Sequence, residues 1–312
     1  MWNILVSGST AYDFIMDYND KFTNHINNDN IHKLSVCFVI DNLKKERWGT
    51  WLNIAYNLAL LWKKSILMSS VWLDYIFTDF HKENINLDYV YTCSDLLSSS
   101  AYITNDNSQS QITAFYPWAM IKADLVSIHN INENIEYAIV SPNKKEAMVI
   151  QIKELNERWI KTFFDPGQAI FGMDKYDLEQ AMKYSDYLIV NDFEFDLFKS
   201  KIWLEKEEII KSFEKVIITL WSRGSVILDI NWETFINPVE NGNVLDPTWA
   251  WDAYRWWLLR WLNLGFSFEK SAKVWTLLAS ISVWYYGWQN HFIEKNDFED
   301  RFEKEFWEKI GL

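Results

Sequence analysis

Residues Asp246 to Asp252 read Asp-Pro-Thr-Trp-Ala-Trp-Asp, a polar turn closed by a carboxylate and followed by an amphipathic run of helical period, Ala253 to Leu264. A turn that opens a helix offers backbone N–H groups and the positive end of the helix dipole to an anion, provided small side chains let the anion reach the backbone. Ala250 meets that condition, whereas Trp249 and Trp251 on either side of it do not. The turn has no evident pocket for two indoles, and Trp256, Trp257 and Trp261 crowd the run that follows. Each such ring needs roughly 150–250 Å² of cover.

The same conflict shows in the composition, since the 312 residues include 19 Trp and only 9 Gly. Gly ordinarily makes up about 7% of a soluble protein, and Trp is among its rarest residues. Moving the Trp residues into the Gly column restores ordinary usage. Trp62 follows the periodic run Ile54, Leu58, Leu61, where a helix ends and a left-handed residue, usually Gly, is expected. The sequence therefore points to UGA codons decoded as glycine and written as Trp. The competing reading is a Trp-rich carbohydrate binder, but such proteins carry indoles on exposed strand faces and loops, not at helix ends and turn centres.

The apolar and charged fractions are those of a soluble globular chain; its length would allow two domains, although α/β proteins of this size are often one large domain with a smaller appendage. A formal net charge of −13 disfavours broad contact with nucleic acid or anionic lipid, which relies on a surplus of Lys and Arg. The two cysteines, Cys37 and Cys93, are far apart and outside any metal-type spacing. No apolar run reaches the length of a membrane span, and the start of the chain lacks the form of a signal peptide, so the expected location is cytoplasmic.

Short β-branched runs alternate with amphipathic segments, the pattern of βα units around a mostly parallel sheet. Strands are expected at Asn3 to Val6, Tyr137 to Val140, Thr162 to Phe164, Tyr187 to Val190 and Val216 to Leu220. Helices are expected at Asn53 to Leu61, Lys144 to Leu155, Glu205 to Phe213, Phe268 to Trp284 and Asp297 to Lys309. Leu34 to Ile40 alternates like a strand of a small separate sheet. Ala101 to Thr104 and Gln111 to Phe115, joined by a polar turn, form a second such pair, and together these segments suggest a lid.

Four segments carry the chemistry. Asp246 to Asp252, with Trp249 and Trp251 read as Gly, resembles the Asp-x-Thr-Gly-Ala-Gly-Asp signature of ribokinase-like (PfkB family) kinases. Arg47 to Asn57 resembles the other signature of that family, a Gly-Gly pair followed by an Asn that opens a helix. Asn191-Asp192-Phe193-Glu194 resembles its Asn-x-x-Glu motif, and Thr219 to Gly224 its Thr-x-Gly-x-x-Gly turn at the nucleotide, with Trp221 in a glycine position. There is no Gly-x4-Gly-Lys-Ser/Thr loop and no Gly-x-Gly-x-x-Gly after the first strand, and the five His lack zinc-type spacing.

The resemblance implies a three-layer α/β/α kinase domain over 1–312, with a mostly parallel central sheet and a small β lid inserted as segments 14–46 and 98–118. It implies ATP and Mg²⁺, with the metal near Glu194 and a monovalent cation, K⁺, near Asp246. The backbone of Trp249, Ala250 and Trp251 would form the anion hole, and Asp252 would take the proton from the attacking hydroxyl. Taken alone, a carboxylate at position 252 would do no more than complement the helix dipole. Asn191, Glu194, Thr219, Trp221, Arg223 and Gly224 would hold the nucleotide.

Within the family the likeness is greatest to bacterial adenosine kinases, through the stretches beginning at Gly8, His32, Ile112 and Tyr187. It implies Asp13, Gly49 and Asn53 at the ribose, Phe115 and Tyr102 stacked on the base, and Gln168 hydrogen-bonded to it. Cys37 and Ala169 stand where Ser and Gln are common, which leaves a sugar kinase or a guanosine or inosine kinase as the alternative. A reading of another class takes the Trp residues literally, as a non-catalytic or misfolded product. Exposed lid edges would allow a homodimer.

Overall fold

The computed structural model describes residues 3–26, 36–48, 52, 54–56, 58, 64–95, 97–108, 110–220, 223–239, 259, 262–282 and 295–310. Nine strands form the main sheet: β1 (Asn3–Ser7), β4 (Ser65–Trp72), β5 (Ile85–Cys93), β8 (Ile135–Val140), β9 (Lys161–Phe164), β10 (Tyr187–Asn191), β11 (Lys215–Thr219), β12 (Ser225–Leu228) and β13 (Glu233–Ile236). Their order is β13-β12-β11-β10-β9-β8-β1-β4-β5. All neighbours are parallel except the β11-β12-β13 meander at one edge.

The parallel strands are continuous apolar runs because both of their faces are covered. Ile4 and Val6 of β1 belong to one core while Leu5 belongs to the other, and Ile189 and Leu188 of β10 divide in the same way. On the first face lie helical residues 52, 54–56 and 58, then α6 (Phe268–Ser282) and α7 (Lys295–Phe306). The second face carries α2 (Lys145–Glu157), α3 (Lys175–Tyr184), α4 (Asp192–Ile202) and α5 (Lys206–Lys211). A short helix, α1 (Asp79–Asn84), precedes β5 and is opened by a Thr78 capping box. Among the described residues, no helix is long and apolar enough to cross a membrane.

The lid is a four-stranded sheet in the order β3-β2-β6-β7, built from β2 (Ala11–Tyr18), β3 (Asn42–Trp48), β6 (Ser99–Asp106) and β7 (Gln111–Tyr116). The expected pairing of the two later segments is present and antiparallel. The strand expected at Leu34 to Ile40 is not, for residues 36–40 have no regular structure and the edge strand runs through the charged stretch Asn42–Trp48 instead. The apolar signal there comes from a loop cluster, with Phe38 packed 4.9 Å from Tyr18 and 5.1 Å from Phe22 between ring centres.

Lid and main body are joined at residues 8–10. Ser69 Oγ donates to the Gly8 carbonyl at 2.8 Å and meets Thr10 Oγ1 at 2.8 Å, and Ser9 N–H donates to the Pro142 carbonyl at 3.0 Å. The exit of β1 is thus tied to β4 and to the segment that follows β8. The far end of the lid is held by Asp106, which accepts from the N–H groups of Phe22, Ser108 and Ser110 and from the Ser108 hydroxyl. Burial alone would raise the Asp106 pKa, but these bonds outweigh it and hold the carboxyl down at about 2.

Candidate active site

Open α/β sheets bind ligands outside the carboxyl ends of their strands, next to the point where strand order reverses. Here that point lies between β8 and β1, since the chain builds towards β5 on one side and towards β11 on the other. Residues at the carboxyl ends, in spatial order from β1 to β11, are the lid entry, Asp165 after β9, Asn191 on β10 and Thr219 on β11. Four strand spacings of about 4.8 Å make this rim about 19 Å long. It is long enough for a nucleoside at one end and a triphosphate reaching it from the other.

At the lid end, Asp13 lies on β2 and is only 1% exposed. Its register partners are Glu46 on β3 and Ala101 on β6, and Ala101 in turn pairs with Phe115 on β7. Directly paired residues share a face of the sheet, so Asp13, Ala101 and Phe115 lie on one face. Phe14 pairs with Tyr102, and their rings stack at 5.0 Å with 7° between planes. Tyr102 therefore occupies the opposite face of the lid from Phe115, and the pair expected to stack on one base is separated. The face carrying Phe14 and Tyr102 also holds Tyr12, whose ring lies 3.7 Å beneath Lys45 Nζ.

Gln168 is exposed on a 3-10 turn, Gly167–Phe171, directly after β9. Gly167 has φ +45°, and a Cβ there would stand 2.5 Å from Pro142 Cγ, so the close approach of the β8 and β9 ends requires glycine. Asp165, fully buried, donates its N–H to the Val140 carbonyl at 2.9 Å and locks the same two ends together.

At the other end, Asn191 and Thr219 are register partners at the last residues of β10 and β11. Asn191 Oδ1 accepts from Glu194 N–H at 2.7 Å, and Glu194 Oε2 accepts from Asn191 N–H at 2.9 Å. The Asn-x-x-Glu motif is thus a capping box that opens α4, and it holds the Glu194 carboxylate, 7% exposed, at the rim. Arg223 reaches across to Asp192 at 3.1 Å. Leu220 N–H donates to the Gly224 carbonyl at 2.8 Å and closes the turn between β11 and β12.

Gly224 has φ +90°, and a Cβ on it would run into the Ile236 carbonyl oxygen and stand 3.0 Å from Pro238 N. Gly224→Ala is expected to cost about 1–2 kcal/mol for the left-handed backbone alone. At about 2–4 °C per kcal/mol this lowers Tm by several degrees. Thermal melts check this effect; an Ala variant that melts with the parent would show that the turn tolerates a side chain.

Asp246, Trp249, Ala250, Trp251, Asp252, Gly49, Asn53 and Trp221 lie outside the described residues. Among the described residues, no group of three or more His, Cys, Asp or Glu side chains is placed to hold a metal ion. Asn191 and Glu194 were singled out through their resemblance to a family motif, but neither their capping box nor the pairing of Asn191 with Thr219 was legible, the latter because only strand register reveals it.

Residues 4–296 match the profile of the pfkB family carbohydrate kinases. A nucleoside kinase from Methanocaldococcus jannaschii is 25% identical over 308 residues, covering 97% of this chain and 98% of that protein. The structure of Burkholderia thailandensis nucleoside kinase in complex with inosine superposes with a TM-score of 0.87 at 29% identity, covering 98% of this chain and 99% of the other. The same Burkholderia protein in complex with ADP-inosine gives a TM-score of 0.84 at 30% identity, covering 98% and 97%. With rim, lid and paired strand ends arranged as described, and the profile matched over nearly its whole length, this chain belongs to the pfkB family of carbohydrate kinases.

Proposed function

We propose that this chain transfers the γ-phosphoryl group of ATP to the 5′-hydroxyl of a purine nucleoside. Adenosine, giving AMP, is the substrate the sequence favours; the inosine complexes of the Burkholderia relative make inosine the second candidate. The observation that carries this reading is the division of the rim: a buried carboxylate sharing a lid face with the Phe115 ring at one end, and a capped helix with a glycine turn at the other.

Asp13 suits vicinal ribose hydroxyls, since an ionised carboxylate can accept from two hydroxyls at once. Phe115, on its face of the lid, offers a ring to the base. Gln168 can both donate to and accept from a purine edge. Thr219, Arg223 and Gly224 line the nucleotide end. Asp252 receives the hydroxyl proton, and the amides of residues 249–251 hold the migrating group. Mg²⁺ bound with the nucleotide would supply neutralisation of the charge on the phosphates. Glu194, a carboxylate held at the rim, fits a contact to that ion through water.

The test is one ATP-consumption assay across adenosine, inosine, guanosine, ribose and fructose 6-phosphate. Turnover is expected to be greatest with a purine nucleoside. If kcat/KM for ribose or fructose 6-phosphate exceeds that for every nucleoside, the chain is a sugar kinase and the roles given to Phe115 and Gln168 fall.

A further inference from the structure

Among the described residues, three that are not glycine have positive φ, and all three are Trp: Trp159 at +57°, Trp203 at +60° and Trp307 at +53°. Each follows a helix, α2, α4 and α7 respectively. Asn, Asp and His are the non-glycine residues that tolerate this region, and a bulky side chain there is an outlier.

The hydrogen bonding around each Trp is that of a glycine cap. After α2, Trp159 N–H donates to the Asn156 carbonyl at 3.0 Å and Ile160 N–H to the Leu155 carbonyl at 3.1 Å. That pair of bonds is the Schellman motif, and Trp159 occupies its left-handed position. The apolar contact that accompanies the motif is also present, since Leu155 and Ile160 are buried in the same core. Trp203 N–H donates to Lys199 O and Trp307 N–H to Glu303 O, both at 2.9 Å, the single bond of the αL cap. A helical turn that ends at residue 263 is followed by Gly265, with φ +83° and a bond to Leu262 O, so at this end the chain does carry the residue the position favours.

Burial does not offset the strain. Trp159, Trp203 and Trp307 are 94%, 79% and 92% exposed, and among the described residues the one ring contact they make is Lys175 Nζ over Trp203. A different observation points the same way: Trp72, at the end of β4, has a buried indole Nε1 without an acceptor among the described residues.

We infer that the protein as made in its own cells carries glycine at positions 159, 203 and 307, and by the same decoding at the other positions written Trp. This rests on backbone geometry and composition, and stands whether or not the chain phosphorylates a nucleoside. Its consequence for the proposed site is that positions 221, 249 and 251 would carry glycine too, with no side chain to stand between a phosphate and the backbone.

Tandem mass spectrometry of peptides from the protein purified from its native cells tests this. Glycine is expected at 159, 203 and 307, with UGA in the gene. Trp in these peptides, or UGG codons, would overturn the inference. A recombinant series isolates the physical cause. Trp→Gly and Trp→Ala variants at the three positions both remove the exposed indole, but only glycine relieves the backbone. Each Gly variant is expected to melt about 2–4 °C above its Ala counterpart. Equal melting at all three positions would show that nothing there calls for glycine, and would count against the inference independently of any kinase assay.

Discussion

Asp252→Asn, made in the form carrying glycine at 249 and 251, is expected to lower kcat by about 10²–10⁴-fold, the range contributed by a positioned general base. The KM for ATP should hardly move, because Asn keeps the size of the side chain and the nucleotide is held elsewhere. Phosphoryl transfer has a loose transition state in which the hydroxyl proton leaves late, so part of the loss will be orientation of the attacking oxygen. Each amide aimed at the migrating group can contribute about 10²–10³-fold. Indoles at 249 and 251 should therefore cost at least as much as loss of the carboxylate, and they should raise the KM for ATP as well. Steady-state kinetics on the two forms separates these effects. If the Asn variant keeps most of its kcat, the proton acceptor is another group.

Much of the framework was readable because parallel strands buried on both faces leave an unmistakable apolar run. Residues 3–7, 135–140, 161–164, 187–191 and 215–219 all lie within a residue or two of where the sequence put them. The lid was read less well. Strand 42–48 reads Asn-Leu-Lys-Lys-Glu-Arg-Trp and edges a largely exposed sheet, so no core imprints an apolar pattern on it. Strand 11–18 was not singled out, although Tyr12, Phe14, Met16 and Tyr18 alternate there with Asp13 and Asp17.

The candidate site divides along the same line. Resemblance to family motifs singled out Asn191, Glu194, Thr219 and Gly224, and the structure adds a capping box at the first two and a left-handed turn at Gly224. Which aromatic shares a face with Asp13 depends on register across three strands, which a linear sequence does not carry. The left-handed Trp residues show the converse. Composition and local pattern raised the question at Trp62, Trp249 and Trp251, and φ angles tied it to Trp159, Trp203 and Trp307 as well.

Asp13→Ala is expected to lower kcat/KM for the nucleoside by about 10²–10⁴-fold, because two hydrogen bonds to a charged acceptor at about 1.5–3 kcal/mol each are lost together. The loss should extend to ribose, which presents the same hydroxyls, and should leave the KM for ATP unchanged. Asp13 is buried, so the melting temperature of the variant has to be followed alongside, and Asp13→Asn provides a shape-matched control that keeps one acceptor oxygen. Register sharpens the comparison. Phe115→Ala, on the Asp13 face, should weaken nucleosides but not ribose, whereas Tyr102→Ala, on the opposite face and stacked on Phe14, should do neither. If Tyr102→Ala proves the more damaging of the two for nucleosides, the lid presents its other face to the substrate. Asp13 would then be a structural carboxylate whose loss is felt in melting rather than in catalysis.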